Sequence, residues 1–179
     1  MNPKRNIENL ALIGFMGTGK SSVGRILADQ SQFNFLDTDE LIEARAQKPI
    51  SRIFAEEGEA AFREYEQKIV DDLSALKKVV IATGGGLGAN AAHLASLKKN
   101  SLVVCLWAAP EIILERVSNQ THRPLLQTPE PLAKIRQLLE QREPFYRLAD
   151  VLVNTEQRTI REVVQQILHQ FYLAKMDLR

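Results

Sequence analysis

A short apolar run, Leu10-Ala11-Leu12-Ile13, leads directly into Gly14-Phe15-Met16-Gly17-Thr18-Gly19-Lys20-Ser21, and the helix-forming stretch Ser22–Asp29 follows. The octapeptide satisfies G-x-x-x-x-G-K-[ST], and a strand before it and a helix after it are the context in which that pattern cradles a polyphosphate. Its glycines let backbone N–H groups wrap the anion, and the helix N-terminus adds a favourable dipole. Lys20 supplies a cation and Ser21 a hydroxyl suited to Mg²⁺. A strand that feeds a helix through such a loop belongs to a sheet whose ligands gather beyond the carboxyl ends of its strands.

The rest of the chain repeats the alternation. Strands are expected at Leu10–Ile13, Asn34–Leu36, Val79–Thr83, Leu102–Leu106 and Val151–Val153. Helical spacing runs over Lys20–Ser31, Glu59–Leu76, Ala89–Lys98, Pro110–Asn119, Leu132–Arg147 and Ile160–Lys175. This order predicts a five-stranded parallel sheet covered by helices on both faces, a three-layer α/β/α arrangement, and 179 residues suit one compact domain. Two segments break the rhythm. Residues 40 to 59 carry short helical pieces interrupted by Pro49 and Gly58, and residues 118 to 131 are polar with three prolines. In a phosphate-transfer enzyme the first would belong to a substrate-holding insertion, about 33–62, and the second would form a lid that excludes water.

Charge narrows the partners. Lysines and arginines number 23 against 22 acids, so no global field attracts nucleic acid or an anionic membrane, and anion binding must come from local clusters. No apolar run reaches the ~18 residues of a membrane span, and the N-terminal stretch does not read as a secretory signal. The single cysteine, Cys105, lies in the run Leu102–Leu106, which points to a buried structural thiol and a cytoplasmic setting. His93, His122 and His169 lack metal-ligand spacing and are assigned no chemistry.

Four groups of residues remain as candidates. Asp37-Thr38-Asp39 follows the second strand, and in an extended segment both carboxylates would face the phosphate loop, Asp37 as a metal-associated acid and Asp39 as an acceptor for a substrate hydroxyl proton. Capping of the next helix is the plainer role for either. In Phe54-x-x-x-Gly58-Glu59-x-x-Phe62-Arg63-x-x-Glu66 the charges share one helical side, which fits an ion pair or an arginine held for a substrate anion. Gly84-Gly85-Gly86 ends the third strand and lets a ligand approach the backbone. Arg116, Arg123 and Arg142 complete the basic set, with Arg123 inside the expected lid as a cation for the migrating phosphoryl group.

Taken in order, Gly14–Ser22, Asp37-Thr38-Asp39, the Phe54–Glu66 block, the triple glycine, Arg123-Pro124-Leu125-Leu126 and Arg142-x-Pro144-x-Tyr146 resemble the shikimate kinases over nearly the whole chain. The resemblance implies a nucleoside-monophosphate-kinase-like fold, usually monomeric, that moves the γ-phosphoryl group of ATP to the 3-hydroxyl of shikimate. It implies ATP held by Gly14, Met16, Gly17, Thr18, Gly19, Lys20, Ser21 and Ser22, with Arg116 and Arg158 beside the adenine and Arg123 over the phosphates. Shikimate would meet Asp39, Phe54, Arg63, Gly84, Gly85, Gly86 and Arg142, with Asp39 as base and both arginines on its carboxylate. Mg²⁺ would sit at Ser21 and, through water, Asp37, while Lys20 and Arg123 stabilise transferring charge. Gln47 departs from the family in standing at a turn where glycine is frequent. The alternatives are a gluconate or nucleoside-monophosphate kinase on the same fold and a nucleotide-binding module with no acceptor, which the presence of Asp39, Arg63 and Arg142 together argues against.

Overall fold

The computed structural model describes residues 5–118 and 128–176. Its strands are β1 (Asn9–Gly14), β2 (Asn34–Asp37), β3 (Val79–Ala82), β4 (Ser101–Trp107) and β5 (Val151–Asn154). All pair in parallel, in the order β2-β3-β1-β4-β5. The central strand β1 sets Leu10 between Val80 and Leu102. The chain fills one side of β1 with β2 and β3 before crossing to β4 and β5, so the crevice beyond β1 is where a sheet of this kind receives a ligand.

Helices α1 (Lys20–Ser31), α2 (Thr38–Ala46), α3 (Ile50–Glu56), α4 (Gly58–Leu73), α5 (Ala91–Leu97), α6 (Pro110–Val117), α7 (Pro131–Tyr146) and α8 (Ile160–Met176) cover the sheet. Alternate strand residues point to opposite faces. Leu10, Leu12, Val80 and Val104 pack with Val23 and Leu27 of α1 and with Val164, Ile167 and Phe171 of α8. Ala11, Ile13, Ile81 and Cys105 pack on the other side with Ile53 of α3, Phe62 and Val70 of α4, Leu94 of α5, Ile113 of α6 and Ile135 of α7. Burial on both faces is why β1, β3 and β4 read as near-continuous apolar runs.

The element boundaries depart from the sequence pattern most informatively at the start of α5. A helix was expected from Ala89, yet a single 3-10 turn at Leu87–Ala89 comes first and α5 starts at Ala91. The cause is Asn90, whose side chain accepts from the N–H groups of Ala92 and His93 and so fixes the helix start. The expected interruption near Pro49 is real: Gln47 ends α2 in the left-handed region at φ 55, and Pro49 then precedes α3. The expected lid falls mostly on residues outside those described, as do Arg123 and His122. No helix among the described residues is long and apolar enough to cross a membrane.

Candidate active site

β1 delivers the phosphate loop into the crevice. Gly14 has φ 135, and a side chain there would strike the Leu106 carbonyl of β4. Gly19, with φ 93, precedes α1, and no side chain caps the first amides of that helix, which therefore face the loop as anion donors. The Lys20 ammonium donates across the loop to the carbonyls of Gly14 at 2.9 Å and Phe15 at 2.8 Å, and the Thr18 hydroxyl donates to Phe15 at 2.8 Å.

Asp37 joins this loop to the next helix. Its Oδ2 accepts from the Ser21 hydroxyl at 2.7 Å, while its Oδ1 accepts from the Asp39 N–H at 3.0 Å and caps α2. The capping role read from the sequence therefore falls to Asp37, and Thr38 and Asp39 open α2 rather than continuing the extended segment expected, because that cap starts the helix at Thr38. A hydroxyl beside a carboxylate is a hard oxygen set of the kind Mg²⁺ takes, with phosphate and water completing the coordination. Among the described residues no group of three or more His, Cys, Asp or Glu could hold a metal unaided.

The triple glycine organises the opposite wall. A Cβ on Gly84 would overlap the Asp39 carboxylate, one on Gly86 would overlap the Arg63 guanidinium, and one on Gly85 would stand 3.3 Å from Arg142 Nη1. One turn thus makes room for a carboxylate from α2, an arginine from α4 and an arginine from α7. Arg142 Nη1 donates to the Gly85 carbonyl at 3.0 Å, and its guanidinium lies 5.2 Å from the centre of the Phe15 ring in the phosphate loop. Arg63 donates through Nη1 to Glu66 at 2.6 Å and through Nη2 to Glu59 at 2.7 Å, so the ion pairs expected along α4 are present. Burial pulls the Arg63 pKa down, but the bonds to Glu66 and Glu59 outweigh it, and the net shift is upward. Phe54 is 42% exposed and stacks at 4.7 Å on Phe62, whose ring lies 5.5 Å from Arg63. Two planar cations and a carboxylate on one glycine turn suit a small molecule bearing both an anionic group and hydroxyls.

On the far side of the loop, Arg116 donates to the Thr155 hydroxyl at 3.0 Å, the Thr155 carbonyl at 2.9 Å and the Gly17 carbonyl at 3.5 Å. It thus ties the phosphate loop to the segment after β5. Arg158 hydrogen-bonds Gln166 of α8. Burial pushes the Cys105 thiol up to about 12, which makes it unreactive, and Trp107 packs against the core. Three residues at the site were not singled out in the sequence: Phe15 beneath Arg142, Thr155 holding Arg116, and Thr38, whose hydroxyl accepts from Gly84 N–H at 2.8 Å. The DTD run was the signal for Thr38, and the variable positions of the loop pattern concealed Phe15.

A curated shikimate kinase from Caldanaerobacter subterraneus subsp. tengcongensis is 43% identical over 169 residues, which span 94% of this chain and 99% of that one. The solved shikimate kinase from Acinetobacter baumannii in complex with shikimate superposes with a TM-score of 0.88 at 39% identity, covering 94% of this chain and 95% of that chain. A gluconokinase from Sinorhizobium meliloti shares the fold at a TM-score of 0.62 and 18% identity, with 96% and 95% of the two chains covered. The family model described as shikimate kinase matches residues 16–172, and with relatives this similar over nearly its full length the chain belongs to the shikimate kinase family.

Proposed function

We propose that the protein transfers the γ-phosphoryl group of ATP to the 3-hydroxyl of shikimate, releasing shikimate 3-phosphate and ADP. The observation that carries this reading is the convergence of Asp39, Arg63 and Arg142 on the triple-glycine turn, directly across from the phosphate loop. Shikimate presents a carboxylate and ring hydroxyls, which call for planar cations and a hydroxyl acceptor at fixed separation.

In this reading the loop amides and the N-terminus of α1 hold the phosphates, with Gly14, Met16, Gly17, Thr18, Gly19, Lys20, Ser21 and Ser22 as the contact run. Arg116 and Arg158 flank the base. Arg63 and Arg142 grip the carboxylate, and Phe54 with Gly84, Gly85 and Gly86 lines the ring. Asp39 accepts the hydroxyl proton as that oxygen attacks the γ-phosphorus and the bond to the bridging oxygen of ADP breaks. Lys20 balances charge on the migrating group, joined by Arg123 from the proposed lid over 118–131. Ser21 and, through water, Asp37 would hold Mg²⁺, which supplies charge neutralisation on the phosphate oxygens. We also propose a single kinase domain that works as a cytoplasmic monomer, a setting supported by its one buried, unreactive thiol.

The test is ADP release by the purified protein from Mg²⁺–ATP with shikimate, gluconate, AMP or no acceptor. Release that depends on shikimate is the expected result. Nucleotide binding without acceptor-dependent release would support a binding module instead.

A further inference from the structure

We propose that Thr38 is a positioning residue that sets the attitude of Asp39 toward the acceptor hydroxyl. Thr38 is the first residue of α2 and is fully buried. Its hydroxyl accepts the Gly84 N–H at 2.8 Å, in a bond buried at both ends. Asp39, the next residue, lays its carboxylate in the space that a Gly84 side chain would fill. Consecutive residues of α2 therefore grip the same glycine, one through its amide and the other through its missing Cβ.

On the other side of Thr38, Asp37 ties the same helix start to Ser21 of the phosphate loop at 2.7 Å. The three residues divide the work. Asp37 fixes α2 relative to the nucleotide, Thr38 fixes it relative to the glycine turn, and Asp39 acts between them. A turn amide could be satisfied by many acceptors, but this one is adjacent to the proposed base, and its loss would loosen the start of α2 that carries Asp39. In-line transfer tolerates little such movement.

This inference rests on the reading of Asp39 as base, so the experiment separates the two. Thr38→Val, Thr38→Ser and Asp39→Asn are compared with the parent protein by steady-state kinetics in both substrates, together with thermal midpoints. Thr38→Val is expected to lower kcat about 10- to 100-fold, since misplacement on the ångström scale costs that much, with the KM for ATP unchanged. Thr38→Ser retains the acceptor and is expected to restore most of kcat. If the valine protein does not fold, Thr38→Ala against Thr38→Ser makes the same comparison. A lower midpoint for Thr38→Val with parental kcat would make the bond purely structural and overturn the proposal, as would a serine variant as slow as the valine one. Slow Asp39→Asn beside normal Thr38→Val removes only the role of Thr38. Parental kcat in Asp39→Asn removes the base itself and this inference with it.

Discussion

The nucleotide side and the acceptor side of the cleft are both built around glycines, but those glycines protect different things. At the phosphate loop, a side chain on Gly14 would meet the backbone carbonyl of Leu106, and one on Gly17 would press on Val117 at 2.7 Å. Those neighbours are a strand and a helix, which have little freedom to yield. At the triple-glycine turn, the atoms in the way on Gly84 and Gly86 are the tips of Asp39 and Arg63. Such tips move easily, so a substitution there displaces the functional group and leaves the fold in place. The first side is a property of the backbone and is lost with the fold; the second is a property of side chains and is lost without it.

Lys20→Ala gives the largest effect, because its ammonium lies within the phosphate loop itself. Removing a single preorganised donor from a developing anion costs roughly 10²–10³ in kcat, and binding of the acceptor should be untouched. Near-normal turnover would take Lys20 out of the mechanism. The direct break of the comparison pairs Gly84→Ala with Gly14→Ala. The first should lower turnover about 10²-fold while its thermal midpoint stays close to the parent; the second should lose stability together with activity. Equal loss of midpoint in both would dissolve the distinction. Arg63→Lys is milder. A point charge replaces a planar fork held by Glu59 and Glu66, and acceptor affinity should fall about tenfold, in line with the ~1.5 kcal/mol of one charge-assisted bond. Unchanged affinity, measured by titration of shikimate, would return Arg63 to the role of a surface ion pair.

The same contrast explains what was legible in the sequence. The phosphate loop is contiguous, and its function lies in backbone geometry that glycine spacing encodes directly, so strand, loop and α1 could all be read in advance. The acceptor side is assembled from α2, α4, α7 and the turn after β3, and only resemblance to a family brought Asp39, Arg63 and Arg142 together. Triple glycine announced a close approach, yet which side chain each glycine admits depends on packing across the sheet. The bond from Gly84 to Thr38 spans 46 residues and leaves no local pattern. The stacking of Arg142 on Phe15 is equally non-local. Asn90 is a different case: its capping preference was available in the sequence, and weighing it would have moved the start of α5 to its observed place.

The smallest effect concerns pH and again falls on the acceptor side. His93 of α5 is buried, with Nε2 at 3.2 Å from the Gln67 side-chain oxygen. Burial lowers its pKa; Glu66, the Leu87 backbone and Asp71 oppose that shift, and Arg63 adds to it. A histidine whose folded pKa lies below its ordinary value of about 6.5 takes up its proton more readily in the unfolded chain. Its contribution to stability is therefore complete above about pH 6.5 and declines as the pH falls from there toward the folded pKa. Gln67 and Glu66 lie on α4, the helix that carries Arg63, and Leu87 adjoins the triple glycine, so His93 sits among the elements that hold the acceptor residues. His93→Gln should narrow the fall in thermal midpoint between about pH 7 and pH 5.5, by no more than about 3 °C for a domain of this size. Parallel midpoint curves for the two proteins would show that the acid sensitivity arises elsewhere.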